Sequence, residues 1–326
     1  MGEPERVAGR MQVQARLARE ATIGRARTWA RRHLTPAAFL APATILIVLF
    51  FLVPVVATLL LSLTDISTVT FRAPRWVGLE NYRYLFRDPF LPRILLNTAR
   101  YVGLTLLFNV GMGLTLALLS TSVRPGYGNQ VRALWLLPRI MPPVVYVLVW
   151  QGLTREAPYG LVGILTGSSR SWITEHPWTT IVLANGMVGA SFGMLIFTSA
   201  IRSMSPELFY AAAVDGATTW QTVRRVVLPL LRWPILFVTA YQTLSLLTSF
   251  EYILLLTDGG PGFFTTTVWS LHAYKLALSN YYGNVQFGLG AAMAAVLVVI
   301  GVVVSVLYLR IFNFRALIGE PKIEVP

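Results

Sequence analysis

Cysteine is absent from this sequence of 326 residues, which holds only two lysines and three histidines. The lack of cysteine excludes disulfides and thiolate metal ligands. The histidines, His33, His176 and His272, are scattered and form no His-x-x-x-His pair, so we expect neither a zinc site nor a metalloprotease of the HExxH type. Neither lysine follows a glycine, which excludes a Walker-type phosphate loop and therefore an ATPase within this chain.

Charge of either sign is also scarce. Charged residues make up 13% of the chain and hydrophobic residues 55%, whereas soluble domains carry about 25% charged residues. The chain is therefore expected to lie in a membrane. Its formal net charge of +13 would suit a nucleic-acid partner, but the basic residues collect at the ends of apolar runs, as in a protein oriented by basic cytoplasmic loops. We expect lipid contact and no nucleic-acid partner.

Long apolar runs are what the sequence has in abundance. A spanning helix needs about 20 apolar residues, and each run is continuous rather than alternating, which favours helices over a barrel. The fold class predicted is all-α: a polytopic membrane protein with about six transmembrane helices. The first run is too long for a signal-peptide core and lacks a cleavage site, so it is interpreted as a retained anchor. The predicted spans are 38–63, 97–120, 133–153, 179–202, 235–257 and 287–312.

The distribution of Arg and Lys predicts the orientation. With the N-terminus inside, the inner segments hold 17 basic residues and the outer segments 8, so both termini are expected in the cytoplasm. Residues 1–35 form a basic cytoplasmic tail, 36–313 the six-span domain and 314–326 a cytoplasmic C-terminal tail. Arg139 lies early in the third predicted span. We expect it to reach back to the inner surface; the alternative is a charge that faces the transport pathway.

The stretch SPELFYAAAVDGATTW, Ser205 to Trp220, interrupts the apolar pattern. Ser205 suits an N-cap, Pro206 suits the first helical position, and Glu207 places negative charge at the positive end of a helix. Ala211–Ala213 favour helix and leave a nearly bare surface. Asp215–Gly216 ends this short helix, because glycine readily adopts the left-handed turn.

A second helix is predicted directly after the glycine. Thr218 and Gln221 have the spacing of a capping box, and Leu228–Pro229 and Trp233–Pro234 should end this helix, since proline disfavours helix at the residue before it. The element lies between the fourth and fifth spans, on the side predicted to be cytoplasmic. It is either an ordinary surface connector or a small-faced helix that inserts into a cleft of another protein.

Small residues mark predicted contacts between helices in lipid. They include Gly103, Gly111 and Gly113 in the second span, and Gly288 and Gly290 at the start of the sixth. The string GASFG, residues 189–193, has the form of a nucleophile elbow, but it lies inside an apolar span and not on a strand-to-helix turn. Ser191 has no evident His or Asp partner. We therefore interpret the string as helix packing and predict no catalytic residue and no metal site.

The element Ser205–Pro234 resembles the EAA loop of ABC importer permeases. That pattern is Glu-Ala-Ala, three residues, Gly, nine residues and Ile-x-Leu-Pro, and Ala211-Ala212, Gly216 and Val226-x-Leu228-Pro229 fit it from end to end. Four other stretches resemble the carbohydrate branch of this family: VGLENYRYLFRDPF (Val77–Phe90), LLNTARY (Leu95–Tyr101), LLPRIMPPVVYVLVW (Leu136–Trp150) and LLTDGGPGFFTTT (Leu255–Thr267). The resemblance covers roughly residues 36–313.

The resemblance implies a permease subunit of a bacterial or archaeal cytoplasmic (inner) membrane. It also implies a second, non-identical permease, a dimer of ATPase subunits that binds ATP and Mg, and an extracytoplasmic solute-binding protein; this chain itself would hold no cofactor. The EAA loop, residues 203–234, would be the coupling element. The family glutamate falls on Tyr210, so a salt bridge from that position to the ATPase is absent. The coupling residues implied are Glu207, Tyr210, Ala211, Ala212, Asp215, Gly216, Leu228 and Pro229.

Candidate solute contacts are polar and aromatic residues within the fourth and fifth spans. Sugars are bound by hydrogen-bonding side chains and aromatic faces, but the same side chains can instead link helices to each other. Glu251 is the sharpest candidate, as an ionisable group near the outer end of a span. The candidates are Asn185, Tyr241, Gln242, Ser245, Ser249 and Glu251.

Three rival functions stay open at this point. The solute could be other than a sugar, which the carbohydrate-like flanks argue against. A secondary transporter without an ATPase would show inverted repeats or charges within its spans, but such charges are scarce and no repeat is evident. An intramembrane enzyme is disfavoured because Ser191 lacks a catalytic partner.

Overall fold

The computed structural model describes residues 38–279 and 283–311, and the predicted tails 1–35 and 314–326 lie outside these ranges. Within them the regular structure is helical, and strand pairing is limited to one bridge between Thr64 and Trp76. The predicted all-α class is confirmed. The helices are α1 Ala38–Leu61, α2 Glu80–Arg87, α3 Leu91–Ser122, α4 Pro125–Ile140, α5 Pro143–Leu153, α6 Leu161–Thr166, α7 Trp172–Glu175, α8 Pro177–Arg202, α9 Pro206–Val214, α10 Thr219–Thr222, α11 Leu228–Leu230, α12 Arg232–Thr248, α13 Glu251–Thr257, α14 Trp269–Leu278 and α15 Phe287–Ile311.

The described residues divide into two units, residues 38–60 and the residues from Leu61 onward. In the described part of the first unit, α1 is helical throughout, with a π-helical stretch at Val48–Leu52. Thr44 and Thr58 donate their hydroxyl protons to the carbonyls four residues earlier, at 3.0 and 2.9 Å. Its polar side chains are thus satisfied within the helix, as a lipid environment requires.

Four helices of the described chain are long and apolar enough to cross a membrane: α1, α3, α8 and α15. They confirm the first, second, fourth and sixth predicted spans. The helix α3 has 32 residues and starts six residues before the predicted boundary, at Leu91. Proline lies in the first turn of both α3 and α8, where its missing N–H leaves no hydrogen bond broken.

The other two predicted spans are interrupted. The third is a bent pair, α4 and α5, whose axes differ by 102°, because Met141 is extended and Pro142 and Pro143 follow it. The fifth is divided at Ser249–Phe250 into α12, of 17 residues, and α13, of seven. Six continuous spans are therefore not confirmed: the described chain has four, or five if the bent pair counts as one.

The helices α3 and α8 pack side by side in parallel. Tyr101 meets Asn185 and Asn109 meets Gly189, so residue numbers rise together along both helices. A Cβ placed on Gly113 would lie 2.9 Å from the Ala190 carbonyl oxygen, which confirms that Gly113 allows close approach. A Cβ placed on Gly103 or Gly111 would meet nothing within 4 Å, so the predicted helix contacts at those two glycines are not found within the described chain.

Because α3 and α8 are parallel, their C-terminal ends, Ser122 and Arg202, lie at the same end of the second unit. The helix α9 follows α8 directly, and we refer to this end as the α9 side. A buried apolar cluster stabilises it and includes Ala117, Phe197 and Leu231. The chain from α10 to α12 returns from the α9 side, antiparallel to α3 and α8.

Close packing also joins α14 to α15. Trp269 is buried, and its indole N–H donates to the Met293 carbonyl at 2.9 Å. A Cβ on Gly290 would meet Ala277, and one on Gly288 would meet the Thr64 carbonyl. The predicted packing role of the glycines at the start of the sixth span is confirmed.

Candidate functional site

The helix α9 is the short helix predicted between the fourth and fifth spans. It begins at Pro206, and the extended backbone of Ser205 places that residue at the N-cap. Ser205 is at the N-cap as predicted, but its side chain makes no capping hydrogen bond. The prediction that its hydroxyl caps the helix is therefore wrong. The proline accounts for the start instead, since its fixed φ suits the first helical position.

A glycine corner ends α9, as predicted. Gly216 has a φ of +72°, and the Ala217 N–H donates to the Ala212 carbonyl at 2.9 Å while the Gly216 N–H donates to Ala213 at 3.1 Å. These two bonds define a Schellman motif, which satisfies the last carbonyls of the helix. Only a residue that tolerates the left-handed conformation fits at position 216.

The next helix, α10, begins with the predicted capping box. The Thr218 N–H donates to Gln221 Oε1 at 2.8 Å, and the Gln221 N–H donates to Thr218 Oγ1 at 3.3 Å. The predicted end at Pro229 is wrong: helical structure continues from α10 through a π-helical turn at Val223–Val227 to Leu230, and a turn at Leu231 then precedes α12. Pro234 does not end a helix either, because it lies in the first turn of α12, where no N–H is needed.

The surface of α9 is apolar on both of its faces. Phe209 packs on the cluster around Phe197, and Ala212 is buried. On the opposite face, Tyr210 is 70% exposed and Val214 is 88% exposed. Large apolar side chains gathered on an exposed face mark a contact surface. The face is smooth, because Ala211 and Ala213 lie between them and are also exposed.

The structure brings the predicted coupling residues together in one element, the segment from α9 to α11. Glu207, Asp215 and Gly216 are exposed on the same short loop and helix as Tyr210. Leu228 is half-buried and Pro229 exposed, further along the segment in α11. The predicted coupling residues therefore lie on one segment at the α9 side, with Ala212 buried against the core.

The predicted solute contacts separate into two groups. Three of them hold helices together in a polar seam between α3, α8 and α12. The Asn185 amide donates to the Tyr101 hydroxyl, which lies 3.2 Å from Ser249 Oγ. Gln242 donates to the Gly189 carbonyl at 2.8 Å, and the Asn109 amide lies 3.1 Å from Gln242 Oε1. These buried groups are satisfied by protein, which favours the helix-linking interpretation for Asn185, Gln242 and Ser249.

The other three predicted contacts are exposed. Tyr241 and Ser245 share a face of α12 with Phe237 and Thr248, two residues that were not predicted. The spacing from Phe237 through Tyr241, Ser245 and Thr248 is that of one helix face, a signal that the sequence carries. We refer to these four residues as the α12 face; Glu251 lies beyond the break, at the start of α13.

Arg139 lies beside the α12 face. Its guanidinium carbon is 5.8 Å from the centre of the Phe192 ring, and Phe192 stacks on Tyr241 with ring centres 4.6 Å apart. The expected return of this side chain to the inner surface is not what the structure shows. No sequence signal could have joined Arg139 to Phe192, because their contact depends on how α4 packs against α8.

A concave surface of about 540 Å³ lies at the opposite end, between α14 and the turn that follows α13. Lys275 forms an ion pair with Asp258 at 2.8 Å there. His272 Nε2 lies 3.9 Å from Asp88 Oδ2, and its ring meets Phe264 edge-on. Burial lowers the pKa of His272, the Asp88 carboxylate opposes this effect, and Lys275 adds to it.

Comparison with known proteins identifies the class to which these features belong. Residues 109–316 match the binding-protein-dependent transport system inner membrane component family, and the chain belongs to that family. It is thus a multi-pass permease component of an ABC transporter.

Relatives match over most of their length. The probable ABC transporter permease protein YesP of Bacillus subtilis is 30% identical, with 87% of this chain and 92% of that protein covered. The trehalose/maltose transport system permease protein MalF of Thermococcus litoralis is 28% identical, with 84% and 92% covered. In a crystal structure of a bacterial ABC transporter involved in the import of the acidic polysaccharide alginate, one chain is 27% identical with a TM-score of 0.72, and 90% of this chain and 100% of that chain are covered.

Proposed function

We propose that this chain is one of two non-identical permease subunits of an ATP-driven importer for saccharides. In this assembly a separate ATPase dimer binds ATP and Mg, and an extracytoplasmic solute-binding protein delivers the solute. The observation that carries the proposal is α9: a short helix, anchored by Phe209 on the protein core, with exposed apolar side chains at Tyr210 and Val214.

The geometry of α9 suits the transfer of movement from a partner. The Schellman corner at Gly216 and the capping box at Thr218 satisfy the backbone at the junction of α9 and α10, so the pair has a defined shape. Ala211 and Ala213 allow close approach of another surface. We infer that α9 docks on an ATPase subunit and that closure of the ATPase dimer moves the attached helices as rigid bodies.

The saccharide assignment is supported by two observations. The relative from Thermococcus litoralis is described as a trehalose/maltose permease and the structural neighbour as an alginate importer. In addition, the α12 face offers aromatic rings and hydroxyl groups, and the exposed carboxylate of Glu251 follows at the start of α13, which is the chemistry that binds sugars. We propose that Tyr241, Ser245 and Glu251 line the pathway, which forms between this chain and the second permease.

The natural absence of cysteine allows a direct test of the docking surface. Ala213→Cys places a single thiol on the exposed face of α9, and a benzophenone maleimide attached to it should photo-crosslink the ATPase subunit in the assembled complex in membranes. We expect one adduct of the mass of permease plus ATPase. Ser169→Cys, an exposed position between α6 and α7 at the opposite end, is the matched control and should give no such adduct.

The proposal fails if the ATPase adduct forms from position 169 and not from position 213. It also fails if position 213 reacts with a membrane-impermeant maleimide added outside intact cells, because α9 would then lie on the extracytoplasmic side. The same labelling tests the predicted orientation, with both termini in the cytoplasm.

A further inference from the structure

Arg139 is a charged side chain at membrane depth. It lies 14 residues into α4, about 21 Å from the α9 side at 1.5 Å per residue. Phe192, over which its guanidinium packs, is about 15 Å from the end of α8. Both estimates fall inside a hydrocarbon core about 30 Å thick, so the charge lies near the middle of the membrane.

A charge at this depth needs either water or a partner. In this structure the guanidinium lies beside Phe192, with its carbon 5.8 Å from the ring centre, and does not return to the α9 side. Within the described residues, no carboxylate lies within 4.0 Å of Arg139, whereas Lys275 and Arg83 each have such a partner. The charge is therefore not neutralised inside the described part of the chain.

The surroundings of Arg139 are those of a binding surface. The side chain is exposed and borders the α12 face through the stacked pair Phe192 and Tyr241. The guanidinium carbon lies within cation–π distance of the Phe192 ring, 5.8 Å from its centre, and no described group accepts its N–H protons. The planar guanidinium presents its N–H groups in a fork that matches an oxyanion.

We propose that Arg139 binds an anionic group of the transported solute, a carboxylate, sulfate or sulfonate, and that the saccharide imported by this permease is acidic. This inference rests on the proposed saccharide function. In the bound state the oxyanion accepts hydrogen bonds from Arg139, and the sugar ring lies against Tyr241 with Ser245 next along the α12 face. The arginine positions the solute and discriminates it from neutral sugars.

The test uses the complete complex, reconstituted in liposomes with its own solute-binding protein. Uptake is measured with matched probes: neutral gluco-oligosaccharides of two to four units and uronic-acid oligosaccharides of the same lengths. We expect uptake of the acidic probes. Arg139→Gln should lower kcat/KM for them about tenfold to hundredfold, the range expected for a lost charge-assisted hydrogen bond.

Two variants make the result specific. Arg139→Lys keeps the charge and loses the fork, and should retain part of the acidic uptake. Arg100→Gln is the matched control, because Arg100 is also exposed and packs over an aromatic ring, that of Trp178 at 5.5 Å. We expect its uptake to stay within about twofold of the native complex.

The outcomes separate the two proposals. If neutral saccharides are imported and Arg139→Gln changes nothing, the saccharide function stands and the role of Arg139 is refuted. If Arg139→Gln lowers uptake of neutral and acidic probes equally, or prevents assembly of the complex by gel filtration, the arginine is structural and the inference fails. If no saccharide of either charge is imported and the complex carries another class of solute, the proposed function itself is wrong.

Discussion

Polar side chains occupy two regions of this membrane protein in opposite ways. In the seam between α3, α8 and α12, the amides of Asn109, Asn185 and Gln242 are buried and find partners within the chain. On the α12 face, Tyr241 and Ser245 are exposed beside Arg139. Both regions lie at membrane depth, where unsatisfied polar groups are costly. The amides of the seam therefore find their partners within one chain, whereas the exposed surface is open to another molecule, and α9 resembles it in that respect.

The largest loss of stability is expected from adding a methyl group inside the seam. A Cβ on Gly189 would overlap the Asn109 amide, so Gly189→Ala should lower the free energy of unfolding by about 3 kcal/mol through overpacking. Gly111→Ala is the matched control, because a Cβ at that position would meet nothing within 4 Å and alanine is the better helix former by up to about 1 kcal/mol. Thermal unfolding midpoints in detergent measure both. Equal midpoints for the two variants would show that the seam is not tightly packed.

Removing polarity from the seam should have the next largest effect. Gln242→Leu keeps a similar volume but leaves the Gly189 carbonyl and the Asn109 amide without their partner, at a cost of about 2 kcal/mol. Ser245→Ala, one turn away on the α12 face, should leave the unfolding midpoint unchanged. If Ser245→Ala proved the more destabilising of the two, the division between seam and exposed face would be refuted.

Substitution of Gly216 should affect coupling more than stability. Valine at a φ of +72° is strained by about 1 kcal/mol or more, and relief of that strain would change the shape of the corner between α9 and α10. We expect Gly216→Val to insert and assemble but to lose solute-stimulated ATP hydrolysis. Gly216→Asn, which tolerates the left-handed region, should keep most of it. Normal stimulated hydrolysis in the valine variant would count against α9 as the coupling element.

The smallest effect concerns His272, an ionisable side chain that is only partly buried, unlike the amides of the seam. Its pKa lies below the ordinary value of 6.5, chiefly because of burial. Between the folded and unfolded pKa values the unfolded chain binds more protons, so this contribution to stability is complete above pH 6.5 and is lost as the pH falls below it. The unfolding midpoint should therefore drop less between pH 7.5 and 5.5 in His272→Gln than in the native protein. An identical drop in both would exclude His272 as the cause.

Much of the fold could be predicted from the sequence, because the length of an apolar run and the capping of a helix end depend only on residues that are close together in the chain. It predicted α1, α3, α8 and α15, and it placed the corner at Gly216 and the capping box at Thr218. The break at Ser249–Phe250 was missed, although Thr248, Ser249 and Glu251 interrupt the apolar run there. The bend at Met141 was missed although Pro142 and Pro143 signal it.

The candidate site was harder to predict from the sequence than the fold. Polar residues within a span have the same sequence pattern whether they join helices or face a pathway. Gln242 and Tyr241 are adjacent in the chain, yet one is buried in the seam and the other exposed. Only the packing of α12 against α3 and α8 separates them, and that packing depends on contacts between residues far apart in the chain.

Phe192 and the neighbouring Arg139 lie on two different helices, α8 and α4, which can move separately. Phe192 lies on α8, which continues almost directly into α9 and is joined along its length to α3 by glycine contacts. Arg139 lies on α4, one residue before the 102° elbow that leads into α5. A movement of α9 would thus be transmitted through α8 to Phe192, whereas the bend after α4 would allow α4 to move separately. The distance between the Arg139 guanidinium and the Phe192 ring would then change during the transport cycle. Binding of the solute would weaken whenever the two helices move relative to each other.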